Sequence, residues 1–338
     1  NCQQLATVSM PATLTVIPQD AFNTTTSLTS LTLPTQLTTI GASAFAASGV
    51  QNVNLPQTVT EIQANAFISS KLQTLSIYTG ASLVVDATAF NNTQQYTKLS
   101  VLYGSKEILD TNLFQAIVIP QLTEIEIGEN ITTIEEGLTF SGMSNLTTVT
   151  LTSVENIAEG LFTNTALQTL KVANYVVLHM GAFDAYTNTG KEYPSISFAT
   201  TGTDITFVGS GEYTAKMAQC FANKTGLQSV TLQGFTSIAN AEQVAPTFAE
   251  YVITNLYMPN VQTVGSYAFY ETSLTNVFLP AVTNIGASAF ESSSIQGIYE
   301  NVVGTAGVVD VPNLANIEQK TFFNTALSVL TNRNATVK

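Results

Sequence analysis

The segment LTSLTLPTQLTTIGASAF, residues Leu28–Phe45, decides the fold of this 338-residue chain. Its last six residues, Ile40–Phe45, recur unchanged at Ile285–Phe290. Six identical residues so far apart are not expected by chance, and their small or apolar side chains carry no catalytic group. The repetition predicts a structural unit that the chain uses many times.

The phenylalanine that closes this segment recurs along the whole chain. Most of the separations between successive copies lie between 21 and 26 residues, and seven copies follow an alanine directly. This periodicity involves 13 of the 18 phenylalanines: Phe22, Phe45, Phe67, Phe90, Phe114, Phe140, Phe162, Phe183, Phe221, Phe248, Phe269, Phe290 and Phe322.

A second pattern, L-x-x-L-x-L-P, accompanies most of these phenylalanines, as in Ser27–Pro34, Val252–Pro259 and Ser273–Pro280. Apolar residues that alternate with Thr, Asn or Ser indicate a strand with one buried face, and the proline ends it. The central buried residues are predicted to be Val8, Leu31, Val53, Leu75, Leu99, Ile125, Val149, Leu170, Ile196, Val230, Leu256, Val277 and Ile298.

A unit of about 22 residues with one short strand cannot bury its own apolar face, so successive units must stack. The prediction is a curved, right-handed leucine-rich-repeat solenoid, mostly β or α/β, with one parallel strand per coil and about 13 coils. Residues 1–338 then form a single domain whose N-terminal repeat is truncated. Two long intervals, 184–220 and 291–312, are predicted insertions, and the tyrosines of the first suit a hairpin or binding loop.

The repeat resembles the BspA-like class of leucine-rich repeats, whose pattern is L-x-x-[VL]-x-L-P, then V-x-x-I, then A-F. Leu28–Phe45 and Val53–Phe67 match it closely. The resemblance implies a cell-surface or secreted protein that binds host extracellular proteins or glycans. It also implies that Cys2 is an ordinary turn residue within a cut repeat, in preference to a lipoprotein anchor.

The charge balance narrows the classes of partner. The net charge is −13, from 23 acidic and 10 basic residues. This leaves no basic surface to neutralise phosphates, which argues against nucleic acid as a partner. No run of 18 apolar residues occurs, so no membrane insertion of this fragment is expected.

Catalytic chemistry finds little support in the sequence. The only histidine, His179, occupies a variable turn position, and Cys220 takes a buried position beside Phe221. The glutamates of Glu124–Gly137 favour a solvated face, because they lack the spacing of a calcium loop. We therefore predict no catalytic residues, no metal, no cofactor and no enzyme.

The side chains that point away from the core along the strands are polar for most of the array and then become aromatic. This column reads Ser9, Thr32, Asn54, Ser76, Ser100, Glu126, Thr150, Lys171, Ser197, Thr231, Tyr257, Phe278 and Tyr299. Exposed rings on successive coils suit protein or sugar recognition. The candidate ligand-binding residues are Tyr257, Phe278, Tyr299 and, in the first insertion, Tyr193. An alternative is that the following insertion covers the rings.

Three functions remain open. The first is a non-enzymatic adhesion module, located at the cell surface or extracellular, that uses the concave sheet face and the insertion loops. The second is a structural spacer within a larger surface protein. The third is a glycan-processing enzyme that uses the insertion loops.

Overall fold

The computed structural model describes residues 2–78, 83–102, 108–109, 111–117, 119–173, 175–188, 190–198, 203–221, 227–249, 251–300 and 308–331. The chain divides into two compact units. Unit 1 comprises residues 1–155 and 161–172, and unit 2 comprises residues 156–160 and 173–338.

Most of the regular secondary structure of the described residues is short strands, joined by turns and irregular segments. In chain order they are β1 Val16–Ile17, β2 Thr39–Ile40, β3 Asn52–Leu55, β4 Glu61–Ile62, β5 Thr74–Ile77, β6 Val84–Val85, β7 Lys98–Val101, β8 Ile108–Leu109, β9 Glu124–Ile127, β10 Thr133–Ile134, β11 Thr148–Leu151, β12 Asn156–Ile157, β13 Thr169–Val172, β14 Tyr175–His179, β15 Ser195–Phe198, β16 Thr203–Tyr213, β17 Leu227–Ile238, β18 Asn255–Tyr257, β19 Thr263–Val264, β20 Asn276–Phe278, β21 Asn284–Ile285, β22 Gly297–Tyr299, β23 Val308–Asp310, β24 Asn316–Ile317 and β25 Val329–Thr331.

Helix is scarce among the described residues. The α-helices are α1 Thr111–Ile117, α2 Asp184–Thr187 and α3 Ala215–Ala218, and two 3-10 turns cover Met180–Ala182 and Gln219–Phe221. The coils therefore return through turns and short strands.

In unit 1 the coils contribute short strands to different parallel sheets, and most coils contribute two. The L-x-L segments pair in the order β3, β5, β7, β9, β11 and β13. The V-x-x-I segments form the order β1, β2, β4 and β6, and β8 pairs with β10. In the first sheet the burial alternates along β3, β5, β9, β11 and β13, so one face packs on the core and the other carries polar side chains. In β7 the outward-facing Ser100 is buried as well.

Unit 2 is built on the same plan. Its L-x-L strands continue in the parallel order β17, β18, β20, β22, β23 and β25. Its V-x-x-I strands follow the order β17, β19, β21 and β24. The 12-residue β17 is long enough to serve both sheets.

A third ladder of hydrogen bonds joins the turns that carry the repeated phenylalanine. The Phe45 amide donates to the Ala66 carbonyl at 2.7 Å, and the Phe269 amide donates to the Ala289 carbonyl at 2.7 Å. Each coil thus bonds to the next along its strands and along its return turn, which satisfies backbone groups that a short unit would leave open.

The phenylalanines form the core of each unit. In unit 1 Phe22, Phe45, Phe67 and Phe90 stack successively with ring centroids 5.2–5.3 Å apart. In unit 2 Phe248, Phe269 and Phe290 stack at 4.5 and 4.7 Å. The column is buried in the interior and half-buried at Phe22 and Phe322. The side chain of Phe221 lies outside the described residues.

The predicted fold class is confirmed as a parallel β-solenoid. Every predicted strand centre from Val53 to Ile298 lies in a strand and is at most 2% exposed. The first two, Val8 and Leu31, lie outside the strands and are only half-buried, so the prediction is wrong for them. The turns number about 11, against the 13 predicted. The right hand, the curvature and the single-domain organisation stay predictions.

Both predicted insertions contribute strands to the array. Within 184–220, β16 runs in parallel between β14 and β17, so the expected hairpin or loop is wrong for residues 203–213. Its Tyr213 is fully buried and stacks on Phe248 at 5.8 Å, in the position of a repeat phenylalanine. Within 291–312, both β22 and β23 belong to the ladder.

Candidate functional site

Three aromatic side chains lie on successive paired strands of unit 2. Tyr257 of β18 is the register partner of Phe278 of β20, which is the partner of Tyr299 of β22. The first two rings stack with centroids 4.2 Å apart, and the second pair is tilted at 5.7 Å. We call these three residues the aromatic ladder. The structure brings them together as the sequence pattern predicted.

The exposure expected of the aromatic ladder is wrong for two of its three members. Phe278 and Tyr299 are each only 3% exposed, whereas Tyr257 is half-buried. Gly297 helps to explain the burial of Tyr299, because a Cβ at Gly297 would lie 2.0 Å from the Tyr299 hydroxyl. The missing side chain makes room for the ring to lie back along its own strand. Only Tyr257 therefore offers part of its ring to a ligand.

An amide ladder accompanies the rings, two residues earlier on each strand. The Asn276 amide nitrogen donates to the Asn255 side-chain oxygen at 2.9 Å, and Asn255 donates to Ser229 Oγ at 3.5 Å. Such bonds between neighbouring coils satisfy polar groups that are half-buried or, at Asn276, 8% exposed. The sequence signal for this ladder is the asparagine shared by VITNLYMP and SLTNVFLP, two residues before each ring. The pattern of outward-facing rings does not include it.

Tyr193, the fourth candidate, does not extend into solvent. Its ring meets Phe183 edge-on with centroids 6.1 Å apart, and its buried hydroxyl has no hydrogen-bond partner among the described residues. Burial, and next the nearby Cys220 thiol, raise the pKa of Tyr193 far above its usual value. The expected role of Tyr193 as an exposed loop residue is therefore corrected to one of packing.

A polar surface lies in unit 1, on the face of its L-x-L strands that points away from the core. Register pairing aligns two rows across these strands, which we call the polar rows. The first row is Asn52, Thr74, Lys98, Glu124, Thr148 and Thr169, and the second is Asn54, Ser76, Ser100, Glu126, Thr150 and Lys171. Hydroxyl and amide groups predominate in both rows.

Several members of the polar rows bond to one another across coils. Thr74 Oγ1 donates to Asn52 Oδ1 at 2.6 Å, and Lys98 Nζ lies 2.6 Å from Glu124 Oε1. The hydrogen bond to Glu124 raises the pKa of Lys98. Both partners are more than one third exposed, so solvent screens the pair and it contributes little to stability. Its main effect is to hold two charged side chains in a fixed arrangement.

Comparison with known proteins identifies the family of this repeat. The BspA type leucine-rich repeat region, with six copies, matches residues 1–119, 82–190, 107–238 and 244–327. The chain belongs to the BspA-type leucine-rich repeat family. The search of curated protein sequences gave no match.

Two solved structures are similar to this BspA-type chain. A leucine-rich repeat protein from Bacteroides ovatus is 12% identical, with 88% of this chain and 74% of that chain covered and a TM-score of 0.26. A leucine-rich repeat protein from Eubacterium ventriosum is 18% identical, with 82% and 80% covered and a TM-score of 0.23.

The reactive residue types of this BspA-type protein are dispersed. His179 ends β14 and is half-buried, whereas the Cys220 thiol is 3% exposed and neither cysteine forms a disulfide. In the part of the chain that the structure describes, no three His, Cys, Asp or Glu side chains lie close enough together to hold a metal ion. Among the same residues, no helix has the length and apolar character needed to cross a membrane.

Proposed function

We propose that this BspA-type protein is a non-enzymatic binding module that acts outside the cell or at its surface. Its ligand is an extracellular host protein or glycan, and the polar rows of unit 1 are the recognition surface. The observation that carries this proposal is the register that aligns hydroxyl, amide and a few charged groups over consecutive coils.

The chemistry of the polar rows suits such a ligand. Backbone pairing fixes the positions of the side chains, so little conformational entropy is lost when a partner binds. Donors and acceptors repeat at about 4.8 Å, the spacing of neighbouring strands. A peptide or a saccharide chain presents polar groups at comparable intervals. The net charge of −13 disfavours polyanionic partners.

Two substitutions in the polar rows test the proposal. Ser76→Arg and Thr150→Arg each place a large cation within the second row, where the wild-type side chains are half-buried. Binding is first sought by titration against a panel of matrix proteins and a glycan array. For the ligand found, each variant is expected to raise the dissociation constant at least about tenfold. This corresponds to a loss of about 1.4 kcal/mol of binding free energy.

The matched control is Thr35→Arg, which adds the same charge at an exposed position of unit 1 away from the rows. It should leave the dissociation constant unchanged. Wild-type affinity in both row variants would show that another surface binds the ligand. If no member of the panel binds saturably, we would favour a structural spacer over a recognition module. The three coil-to-coil ladders of hydrogen bonds support that role.

A further inference from the structure

Unit 2 contains a cavity of about 240 Å³ that lies apart from the aromatic ladder and is not used by the proposed function. One wall is α3 with the 3-10 turn that follows it, and the other wall is the segment that precedes β18. The described lining residues are Ala215, Ala218, Gln219, Val244, Ala245, Pro246, Thr247, Ala249 and Tyr251.

The described lining favours a neutral ligand that has both apolar and polar groups. Most of the lining side chains are alanine, valine or proline, and none of the described ones is charged. An ion that entered this cavity would lose hydration without gaining a counter-charge, which is strongly unfavourable. A flat apolar molecule would instead gain contacts with several methyl groups.

The walls are held in place by hydrogen bonds. The Tyr251 hydroxyl is 2.7 Å from the Tyr213 hydroxyl, and both residues are buried. Gln243 Nε2 donates to the Tyr270 hydroxyl at 2.7 Å, which fixes the turn next to the cavity. This turn leaves Val244 88% exposed at the rim. The cavity is therefore largely formed before a ligand arrives, as in most small-molecule sites.

One polar group of the lining lacks a partner. Thr247 is 4% exposed, and its buried Oγ1 makes no hydrogen bond in the described structure. A buried hydroxyl without a partner is unfavourable. Because rotation about the Cα–Cβ bond moves Oγ1 between staggered positions, a polar atom of a ligand can engage it.

The volume sets the size of the ligand. An engineered apolar cavity of about 150 Å³ accommodates benzene. The larger volume of the present cavity leaves room for a ring with one or two substituents. Part of this space is open to solvent, because four of the nine lining residues, Gln219, Val244, Ala245 and Ala249, are exposed. We propose that this partly open cavity binds a small neutral aromatic molecule that carries one hydroxyl group.

The test uses para-fluorophenol and para-fluorobenzoate, which differ in charge and by two non-hydrogen atoms in size, with fluorine NMR as the readout. At neutral pH the phenol is uncharged and the benzoate is an anion. Saturable binding of the phenol is expected with a dissociation constant below about 1 mM, and binding of the benzoate at least about tenfold weaker. Equal affinity for the two probes, or no saturable binding of the phenol, would overturn the proposal.

Three variants locate the bound probe. Ala215→Leu and Ala249→Leu fill the cavity from opposite walls and should each weaken phenol binding at least about tenfold, because the added side chain occupies the space of the ring. Thr247→Val should weaken it about fivefold, the loss expected for one hydrogen bond. Ala21→Leu, at an exposed turn of unit 1, is the control and should change nothing.

Thermal unfolding of each variant shows whether it is folded, and two filling variants are included in case one of them is not. If phenol binding survives in a folded filling variant, the probe binds elsewhere and the proposed site is wrong.

Discussion

At the scale of the residue, five of the six positions of the repeated hexapeptide have an identifiable structural constraint. Ile40 and Ala44 are fully buried, and Phe45 stacks in the core. A Cβ on Gly41 would lie 2.7 Å from backbone atoms of the preceding coil, so only glycine fits. Ser43 has a left-handed backbone, with φ 55°. The same phrase recurs at Ile285–Phe290 because these constraints recur there, including φ 55° at Ser288.

Left-handed backbone occurs two residues before and two residues after most of the core phenylalanines. Around Phe45 these residues are Ser43 and Ala47, and around Phe269 they are Tyr267 and Glu271. For residues with a Cβ this conformation costs roughly 1–2 kcal/mol each. The turn keeps it because its hydrogen bonds to the next coil require it, as the bond from the Ala47 amide to the Ile68 carbonyl shows.

We predict that Ala47→Gly stabilises the protein by about 1 kcal/mol, since glycine adopts φ 51° without steric cost. Urea unfolding at equilibrium measures the change in the free energy of unfolding. Ala46→Gly is the matched control. Ala46 is 7% exposed and lacks a positive φ, so this change should destabilise by about 0.5–1 kcal/mol. Equal effects at the two neighbours would contradict the assigned backbone conformation.

At the scale of the element, no strand is stable alone. Strands of two to four residues, such as β2 and β3, are too short to persist without the coils on either side. Their stability comes from stacking, and the aromatic column is one apolar component of that stack that recurs from coil to coil. A defect in one coil should therefore weaken its neighbours as well.

Phe45→Ala tests this column. Phe45 is fully buried between Phe22 and Phe67, so its truncation should lower the free energy of unfolding by about 3–5 kcal/mol. Phe323→Ala removes the same side chain from a site that is 60% exposed and should change stability by less than about 0.5 kcal/mol. Denaturant unfolding measures both. A loss below about 1 kcal/mol at Phe45 would mean that the column contributes little to the core.

The period of the repeat was enough to predict the coil, its strand and its buried phenylalanine from the sequence. Tyr213 was missed as a member of the column because it lacks the preceding alanine and stands in an irregular interval. The burial of Tyr299 was missed because it depends on how its ring lies over Gly297, which no strand pattern encodes. The burial of Phe278 was missed because its ring packs between the rings of Tyr257 and Tyr299. The left-handed positions carry nine residue types, Asp, Thr, Ser, Ala, Asn, Tyr, Glu, Lys and Gly, so residue type alone did not mark them.

At the scale of the whole molecule, the low charge content leaves stability to packing, to the backbone ladders and to buried phenols. Only 10% of the residues are charged, and the described ion pairs are partly exposed. Tyr96, Tyr213 and Tyr251 are at most 1% exposed, and burial is the largest cause of their raised pKa values. The free energy of unfolding should therefore depend more on alkaline pH than on salt concentration.

We predict a loss of stability as the pH rises above about 10, the usual pKa of tyrosine. Above that pH the folded protein keeps the phenol protons, whereas the unfolded chain releases them. Deprotonation therefore stabilises the unfolded state relative to the folded state. Below that pH, the contribution of these tyrosines is fully present. Urea midpoints measured on both sides of this pH give the slope of stability against pH. Tyr96→Phe should reduce the slope, and Tyr78→Phe, at an exposed site, should not.

The most direct test of the account is cross-linking across the predicted register of unit 1. In a background with Cys2→Ser and Cys220→Ala, Asn54→Cys is combined with Ser76→Cys, its register partner on the adjacent strand. Neighbouring strands lie about 4.8 Å apart, within the range of a disulfide. Ser100, two strands from Asn54, lies about twice as far away. A second, control variant combines Asn54→Cys with Ser100→Cys. After mild oxidation, peptide mass spectrometry should find the 54–76 disulfide in the first variant and no intramolecular 54–100 disulfide in the control. Efficient formation of the 54–100 bond, or failure of the 54–76 bond, would contradict the parallel stacking of one coil on the next.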